Sequence, residues 1–365
     1  MSKLNPSAEI IIDHRGDKTH YALVYDGQLW QMITDGNMDT GAYTVGAIVC
    51  GRVIKRLNNV HALVDIGAEK EAFLEASASA APEGSMVLAQ IRRDAFHGKG
   101  ATLTLNIMYY DRYLSFHPGA DVIETVNQNL MNDLGRLGWS GQVKPAAKQI
   151  DRRQLLDLAK QQIAKHQNLM SSYEKKNQIG IISQAPSASD RLWFDVAEIK
   201  KILVNDRSVF NQLQSRFTAA MPDLIPHLEY YAMPKPIFDH YDILDQWDKA
   251  FLNAISLPNA SRLVFESTQT LHVIDIDHAG AVVDPVTINK NAVSEIARQI
   301  NLRNWGGLIV IDFLKMRQNS DRMAIQQILE QSFSLDTHNT HVLGFTKAGL
   351  FEITRPRKGS PIQPF

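Results

Sequence analysis

In the last third of the chain, Leu271-His-Val-Ile-Asp-Ile-Asp277 alternates apolar and polar residues. On a strand, that alternation sets Asp275 and Asp277 on one face, about 6 to 7 Å apart along the chain and both at its carboxyl end. Farther on, Gly307-Leu-Ile-Val-Ile-Asp312 is almost wholly apolar until it stops in an aspartate, the pattern of a buried parallel strand with a polar tip. Between them, Val293, Ile296, Ala297 and Ile300 mark the apolar stripe of a helix over 290–303, closed by Gly306-Gly307. A strand, helix and strand with the usual right-handed crossover bring the carboxyl ends of both strands to one sheet edge. Asp275, Asp277 and Asp312 are therefore expected to converge. Grouped carboxylates repel one another and resist desolvation, so a cation must offset them; an all-oxygen donor set suits Mg²⁺, with Mn²⁺ as a substitute. An ion held that way keeps positions for water and phosphate, as in-line attack on a phosphodiester requires. The same residues also fit a plainer role, with one aspartate capping a helix or turn and another paired with Arg298 or Arg303.

A second group lies in the first third. Phe73 falls on a short strand, and Arg92, Arg93, Phe96, His97 and Lys99 crowd the hairpin before Ala101. Aromatics among cations on a small barrel suit single-stranded nucleic acid, where stacking contributes roughly 1 to 3 kcal/mol per base. The alternative is a Phe73 in the barrel core and a solvated charged turn. His338 and His341 have no cysteine or carboxylate at a zinc-site spacing and read as surface-loop residues. No Gly-x-Gly-x-x-Gly or phosphate-loop motif occurs, so a nucleotide cofactor has no support.

The elements that position these groups follow from pattern. Spans 9–13, 20–25 and 28–33 read as strands, the last two joined by a tight Asp26-Gly27 turn. Spans 42–57, 61–66, 71–74, 86–92 and 101–107 recur about every ten residues between turn signals and imply a small closed barrel of OB type. From 149 to 177 the period becomes helical, with Leu155, Leu158, Ala159, Ile163, Met170 and Tyr173 on one face and a basic solvated face opposite. Residues 183–189 read as a linker, and 196–203 and 209–220 as helices. Beyond 251, strands at 262–266, 271–277, 308–314, 341–345 and 350–354 alternate with helices at 290–303 and 321–333, which implies an α/β layer fold with a mixed sheet.

A chain of 365 residues supports two or three domains without disulfide help. No apolar run reaches the roughly 18 to 20 residues of a membrane span, so no membrane partner is expected. The amino terminus lacks the pattern of a secretory signal and Cys50 is the sole cysteine, so a reducing, cytoplasmic setting is expected. With a net charge of −1, any contact with nucleic acid must use cations gathered locally.

Taken together, these stretches resemble the ribonuclease E/G family, bacterial endoribonucleases that cleave single-stranded RNA. The resemblance is carried most strongly by Glu295-Ile-Ala-Arg-Gln-Ile-Asn-Leu-Arg303 and Gly306-Gly-Leu-Ile-Val-Ile-Asp-Phe313. Gly349-Leu-Phe-Glu-Ile-Thr-Arg355, Ala62-Leu-Val-Asp-Ile-Gly67, Ala72-Phe-Leu74 and Gly98-Lys-Gly-Ala-Thr-Leu-Thr104 support it. It covers nearly the whole catalytic half and is weakest over 121–189. It implies an α/β multidomain chain. A ribonuclease-H-like subdomain (1–40 and 187–250) would receive an OB-fold RNA-binding β-barrel (41–116) and a shortened, divergent 5′-sensor-like region (117–186). A deoxyribonuclease-I-like α/β catalytic subdomain (251–365) would follow.

By this resemblance the family's two metal-binding aspartates fall on Asp275 and Asp312, and asparagine is usual where Asp277 stands. Asp275, Asp312 and Asp277 are thus the expected catalytic residues, and Phe73, Lys99 and Arg93 the expected RNA-binding ones. Leu63 occupies a position where a second aromatic is frequent. Ser183 and Gln184 fall on the Arg-Thr pair that senses a 5′-monophosphate, so little preference for that end is expected. Where a zinc-linking cysteine pair would follow Arg355-Pro-Arg357, this sequence has Lys358-Gly-Ser-Pro-Ile-Gln-Pro-Phe365. No structural zinc and no zinc-linked dimer are expected, leaving a monomer or a homodimer held without zinc. The implied function is Mg²⁺-dependent cleavage of single-stranded RNA in RNA processing or turnover, leaving a 5′-phosphate and a 3′-hydroxyl. The alternative is an RNA-binding protein of the same fold without catalysis, favoured by the changes at Ser183, Gln184 and the basic motif before His341.

Overall fold

A computed structural model of the chain describes residues 7–35, 43–77, 79–95, 98–120, 123–124, 127–176, 178–268, 270–280, 282–336 and 338–356; Phe96, His97 and the segment 357–365 lie outside them. Strand β1 (Ala8–Arg15) carries Ile10, Ile11 and Ile12, all fully buried because the strand has neighbours on both edges. It runs antiparallel to β2 (Lys18–Tyr25), which turns through Asp26-Gly27 into β3 (Gln28–Asp35). Both turn residues have positive φ, 48° and 74°, the left-handed pair that a two-residue hairpin needs and that Asp-Gly accepts.

Strands β4 (Ile48–Arg56), β5 (His61–Asp65), β6 (Ala72–Glu75), β7 (Met86–Arg93) and β8 (Thr102–Thr104) form a closed, OB-like barrel in the order β4-β5-β6-β8-β7, with β7 pairing back to β4. Val49, Val53, Val64, Leu74, Val87, Ile91 and Leu103 fill its core. The last strand is shorter than the span 101–107. Beyond it the Gln90 amide engages the Met108 backbone, donating to its carbonyl oxygen and accepting from its N–H, both at 3.0 Å.

Strands β9 (Tyr109–Tyr110), β10 (Leu114–Phe116), β11 (Ile123–Glu124) and β12 (Gly141–Val143) form a small sheet, with helix α1 (Gln128–Arg136) between the last two and α2 (Arg152–Lys176) after them. Then β13 (Gly180–Ser183) pairs with the first half of β4, so the supposed linker from 183 begins as sheet. Helix α3 (Ala188–Asp195) starts at a Ser187/Asp190 capping box. The largest correction is at 196–203, where a helix was expected. The chain forms β14 (Ile199–Val204), parallel to β1, with Ile199, Ile202, Leu203 and Val204 buried. The spacing of Ile199, Ile202 and Leu203 imitates a helix stripe, but the second edge of β1 needs a partner and the β-branched residues fit it. Helix α4 (Arg207–Ala220) follows an Asp206 cap, and β15 (Leu228–Tyr230) completes the sheet β15-β14-β1-β2-β3.

After the short helices α5 (Ile237–His240) and α6 (Ile243–Lys249) come β16 (Ala254–Ser256), β17 (Arg262–Ser267), β18 (Leu271–Asp277), α7 (Pro285–Leu302), β19 (Gly307–Asp312), α8 (Asn319–Ser332), β20 (His341–Phe345) and β21 (Phe351–Arg355). Their sheet order is β16-β17-β18-β19-β21-β20, with β18 and β19 parallel and the other pairings antiparallel. Helix α7 begins at Pro285 and not near 290, because Asp284 caps it, accepting from the N–H groups of Val286 and Thr287. It also packs against β3. Arg298 donates to the Leu29 carbonyl at 2.9 Å and Asn301 to the Trp30 carbonyl at 2.8 Å. The polar residues of the stretch Glu295 to Arg303 therefore clamp the unit of the last sheet to the first sheet. Arg355 closes the same region from β21, donating to Asp336, Asn301 and the Trp305 carbonyl. His338, expected at the surface, is buried with Nδ1 3.2 Å from an Asp336 oxygen. Among the described residues no helix is long and apolar enough to cross a membrane.

Candidate active site

Strands β18 and β19 run in register, with Leu271 beside Leu308 and Asp275 beside Asp312. Alternation buries Ile274, Ile276, Ile309 and Ile311 in the core that α7 and α8 share. It leaves Asp275 and Asp312 exposed and adjacent at the carboxyl edge. Among the described residues neither forms an ion pair with a protein cation. The Asp275 carboxyl is pushed above the ordinary aspartate range by partial burial and by the charge of Asp312, with smaller contributions from Asp277 and Glu266.

Asp277 shares their strand face but not their situation. Its cross-strand partner Arg262 donates to it from Nε at 2.8 Å and from Nη2 at 2.7 Å, and the Ala279 N–H donates at 2.9 Å. The Ala279 hydrogen bond and then the Arg262 contact hold this carboxyl below its usual range. The three aspartates expected to converge thus resolve into a facing pair and a third already neutralised. Neither arginine considered from sequence reaches them: Arg298 pairs with Glu295, and Arg303 lies 3.9 Å over the Phe265 ring. Among the described residues no group of three or more His, Cys, Asp or Glu could hold a metal ion by protein ligands alone. Two carboxylates are the donor set of a Mg²⁺ that keeps most of its waters. The loop leaving β19 adds exposed Lys315 and Arg317, three and five residues beyond Asp312; sequence reasoning did not single them out.

On the barrel, Ala72 and Leu74 are fully buried and Phe73 between them is half-buried, so its ring leaves the opposite face of β6 and is not core. A row of paired residues crosses that outer face: Lys55, Leu63, Phe73, Thr102 and Arg93. Its two ends depend on bulges. Lys55 is two residues from the core residue Val53, and Arg93 two from the core residue Ile91, so unbroken strands would turn both inward. Register shifts at Val53/Lys55 and Ile91/Arg93 turn them outward, where both are exposed. Lys99 is exposed nearby, next to Gly100, where a Cβ would lie 1.8 Å from the Glu71 carbonyl oxygen. Only glycine lets the chain pass there.

Ser183 and Gln184 line a cavity of about 400 Å³ with Tyr109, Asp111, Gln162 and Lys165. Its described lining carries one cation, Lys165, against the carboxylates of Asp111 and Asp190, and no arginine.

Comparison with known proteins matches residues 127–358, more than half the chain, to the ribonuclease E/G family. Ribonuclease G of Escherichia coli (strain K12) is 27% identical over 400 aligned residues, covering 98% of this chain and 81% of that protein. Ribonuclease G of Haemophilus influenzae is 28% identical over 397, covering 96% and 80% respectively. Ribonuclease E of Buchnera aphidicola is 29% identical over 306, covering 77% of this chain and 31% of that protein.

Proposed function

We propose that this chain, which belongs to the ribonuclease E/G family and is an endoribonuclease, cleaves single-stranded RNA at the carboxyl edge of β18 and β19 with Mg²⁺ held by Asp275 and Asp312. The observation that carries the proposal is the adjacent pair itself, two carboxylates in register with neither in an ion pair among the described residues. Facing like charges make ionisation costly, and a divalent cation offsets that cost; hard oxygen donors fit Mg²⁺, or Mn²⁺. Bound there, such an ion supplies Lewis-acid polarisation of a phosphodiester and a lowered pKa for an attacking water.

The chain's own residues do the remainder. Parallel register fixes the two carboxylates relative to each other. Arg262 neutralises Asp277 and so limits the negative charge that meets a phosphate. Lys315 and Arg317 offer cations to the RNA backbone as it leaves the edge. Phe73 offers a stacking surface, and Lys99, Arg93 and Lys55 offer phosphate contacts. Ser183 and Gln184 offer hydrogen bonds without the charge-assisted, bidentate contact by which arginine selects a terminal phosphate, so 5′ sensing is weak.

The order β3-β2-β1-β14-β15, an antiparallel meander extended by two parallel strands, supports a ribonuclease-H-like reading of 1–40 and 187–250. A six-stranded mixed sheet with α7 and α8 supports a deoxyribonuclease-I-like reading of 251–365. The setting proposed is cytoplasmic RNA processing or turnover, with the protein a monomer or a homodimer held without zinc. The test is cleavage of a fluorescent single-stranded RNA and its duplex in Mg²⁺, then in EDTA, then with Mg²⁺ restored. Cleavage of the single strand that disappears and returns is expected. Cleavage indifferent to EDTA overturns the metal assignment, and binding without cleavage of any single-stranded RNA favours the catalytically silent reading.

A further inference from the structure

His61 opens β5 two residues before Leu63, so both side chains leave the same outer face of the barrel, and His61 pairs across the sheet with Glu75. Its ring lies diagonally against that of Phe73, with centroids 4.9 Å apart and planes 33° apart. The ring is half-buried, and its Nδ1 accepts from the Asn58 amide at 3.0 Å, which fixes its rotation. The hairpin turn beside it carries Leu57 and Val60, 49% and 50% exposed, apolar side chains that the barrel core does not absorb. Lys55 and Arg93 stand at the two ends of the adjacent row, turned outward by their bulges.

A lone half-buried phenylalanine supports one base. The His61 ring, with its centroid 4.9 Å away and its plane tilted by 33°, overlaps it in an offset stack, so the two rings form one aromatic stack that a base can extend, while the cations at the row ends meet the flanking phosphates. We propose that His61 is an RNA-binding residue that supplies, with Phe73, the second ring of the barrel's stacking surface, in place of an aromatic at Leu63. The proposal rests on the reading of the barrel as the RNA-binding face. Its bland competitor is that His61 only closes the β4–β5 hairpin through Asn58.

The test is the affinity of the full chain, in EDTA, for a single-stranded RNA carrying 2-aminopurine, comparing wild type with Phe73→Ala, His61→Ala and His61→Phe. With Phe73→Ala weakened, His61→Ala is expected to bind about five- to tenfold more weakly than wild type. His61→Phe keeps the ring but loses the Asn58 hydrogen bond, and is expected within about threefold of wild type. The 2-aminopurine emission quenched in the wild-type complex should recover in His61→Ala and stay quenched in His61→Phe. Wild-type binding by His61→Ala beside a weakened Phe73→Ala overturns the role of His61 and leaves the barrel reading standing. A His61→Phe protein as weak as His61→Ala also overturns it, in favour of the hairpin role. An undiminished Phe73→Ala overturns both.

Discussion

Two carboxylate sites in the last sheet's unit are built on opposite principles. The Asp336 side chain is fully buried and fully answered: Arg355 donates from Nε at 2.8 Å and from Nη2 at 3.0 Å, Thr340 donates its hydroxyl, and His338 lies against it. Burial pushes its carboxyl up, but the hydrogen bonds from His338, Arg355 and Thr340 and the Arg355 charge together outweigh that and hold it far below the usual range. Asp275 and Asp312 are exposed and adjacent in register, and neither is in an ion pair among the described residues. Where the fold needs a joint, it buries charge and pairs it. Where Asp275 and Asp312 are left adjacent, the described residues supply no ion-pair partner, and the proposed Mg²⁺ would supply one.

The largest effect expected at the joint is on stability. Asp336→Asn leaves the Arg355 guanidinium buried without its counter-charge and should cost about 3 to 5 kcal/mol in denaturant unfolding. The folded value lies below the unfolded one, so this contribution is complete above the unfolded value of about 4 and is lost progressively as pH falls below it toward the folded value. The gap between wild type and variant should therefore be widest near neutrality and shrink below about pH 4. A gap constant with pH would assign the loss to packing instead.

Smaller effects belong to the barrel. Phe73→Ala should weaken RNA binding by about 1 to 3 kcal/mol, and Lys99→Ala by about 1 kcal/mol while lowering the slope of log affinity against log salt by about one. Equal affinity in both variants would remove this face from the RNA path. At the cavity beside Ser183 and Gln184, rates on 5′-monophosphate and 5′-hydroxyl substrates should agree within about tenfold. A larger preference for the phosphate would mean that another group senses it. The smallest change is expected from Asp277→Asn, because Arg262 already neutralises that carboxylate. Cleavage should persist, and a loss as deep as that of Asp275→Asn would return Asp277 to the metal site.

Much of this was legible in the sequence because it is local. Asp26-Gly27 specifies its hairpin from two residues, and the alternation over Leu271 to Asp277 specifies both a strand and its polar face. A general rule of handedness then brings Asp275 beside Asp312 without knowledge of any contact. What escaped depends on distant partners. The strand at Ile199–Val204 requires the edge of β1, which lies far back in the chain. The neutralisation of Asp277 requires the β17 register that sets Arg262 opposite it. Arg298 and Asn301 stand in a stretch that carries the family resemblance, but their acceptors, the carbonyls of Leu29 and Trp30, lie far back in the chain. Arg93 was expected on the RNA-binding face, whereas Lys55 reaches that face only through a bulge, and alternation alone would turn it inward.

The central claim is that Asp275 and Asp312 act as one site that needs an external cation. Its most direct test is single-stranded RNA cleavage in Mg²⁺ by Asp275→Asn and Asp312→Asn beside wild type, with RNA affinity and melting temperature measured on the same preparations. Each substitution keeps the side-chain shape and removes one charged oxygen donor. Cleavage should fall at least about 100-fold in both, with affinity unchanged and the melting temperature equal or higher as repulsion is relieved. Either variant cleaving as wild type does, or losing RNA binding along with cleavage, would contradict the claim.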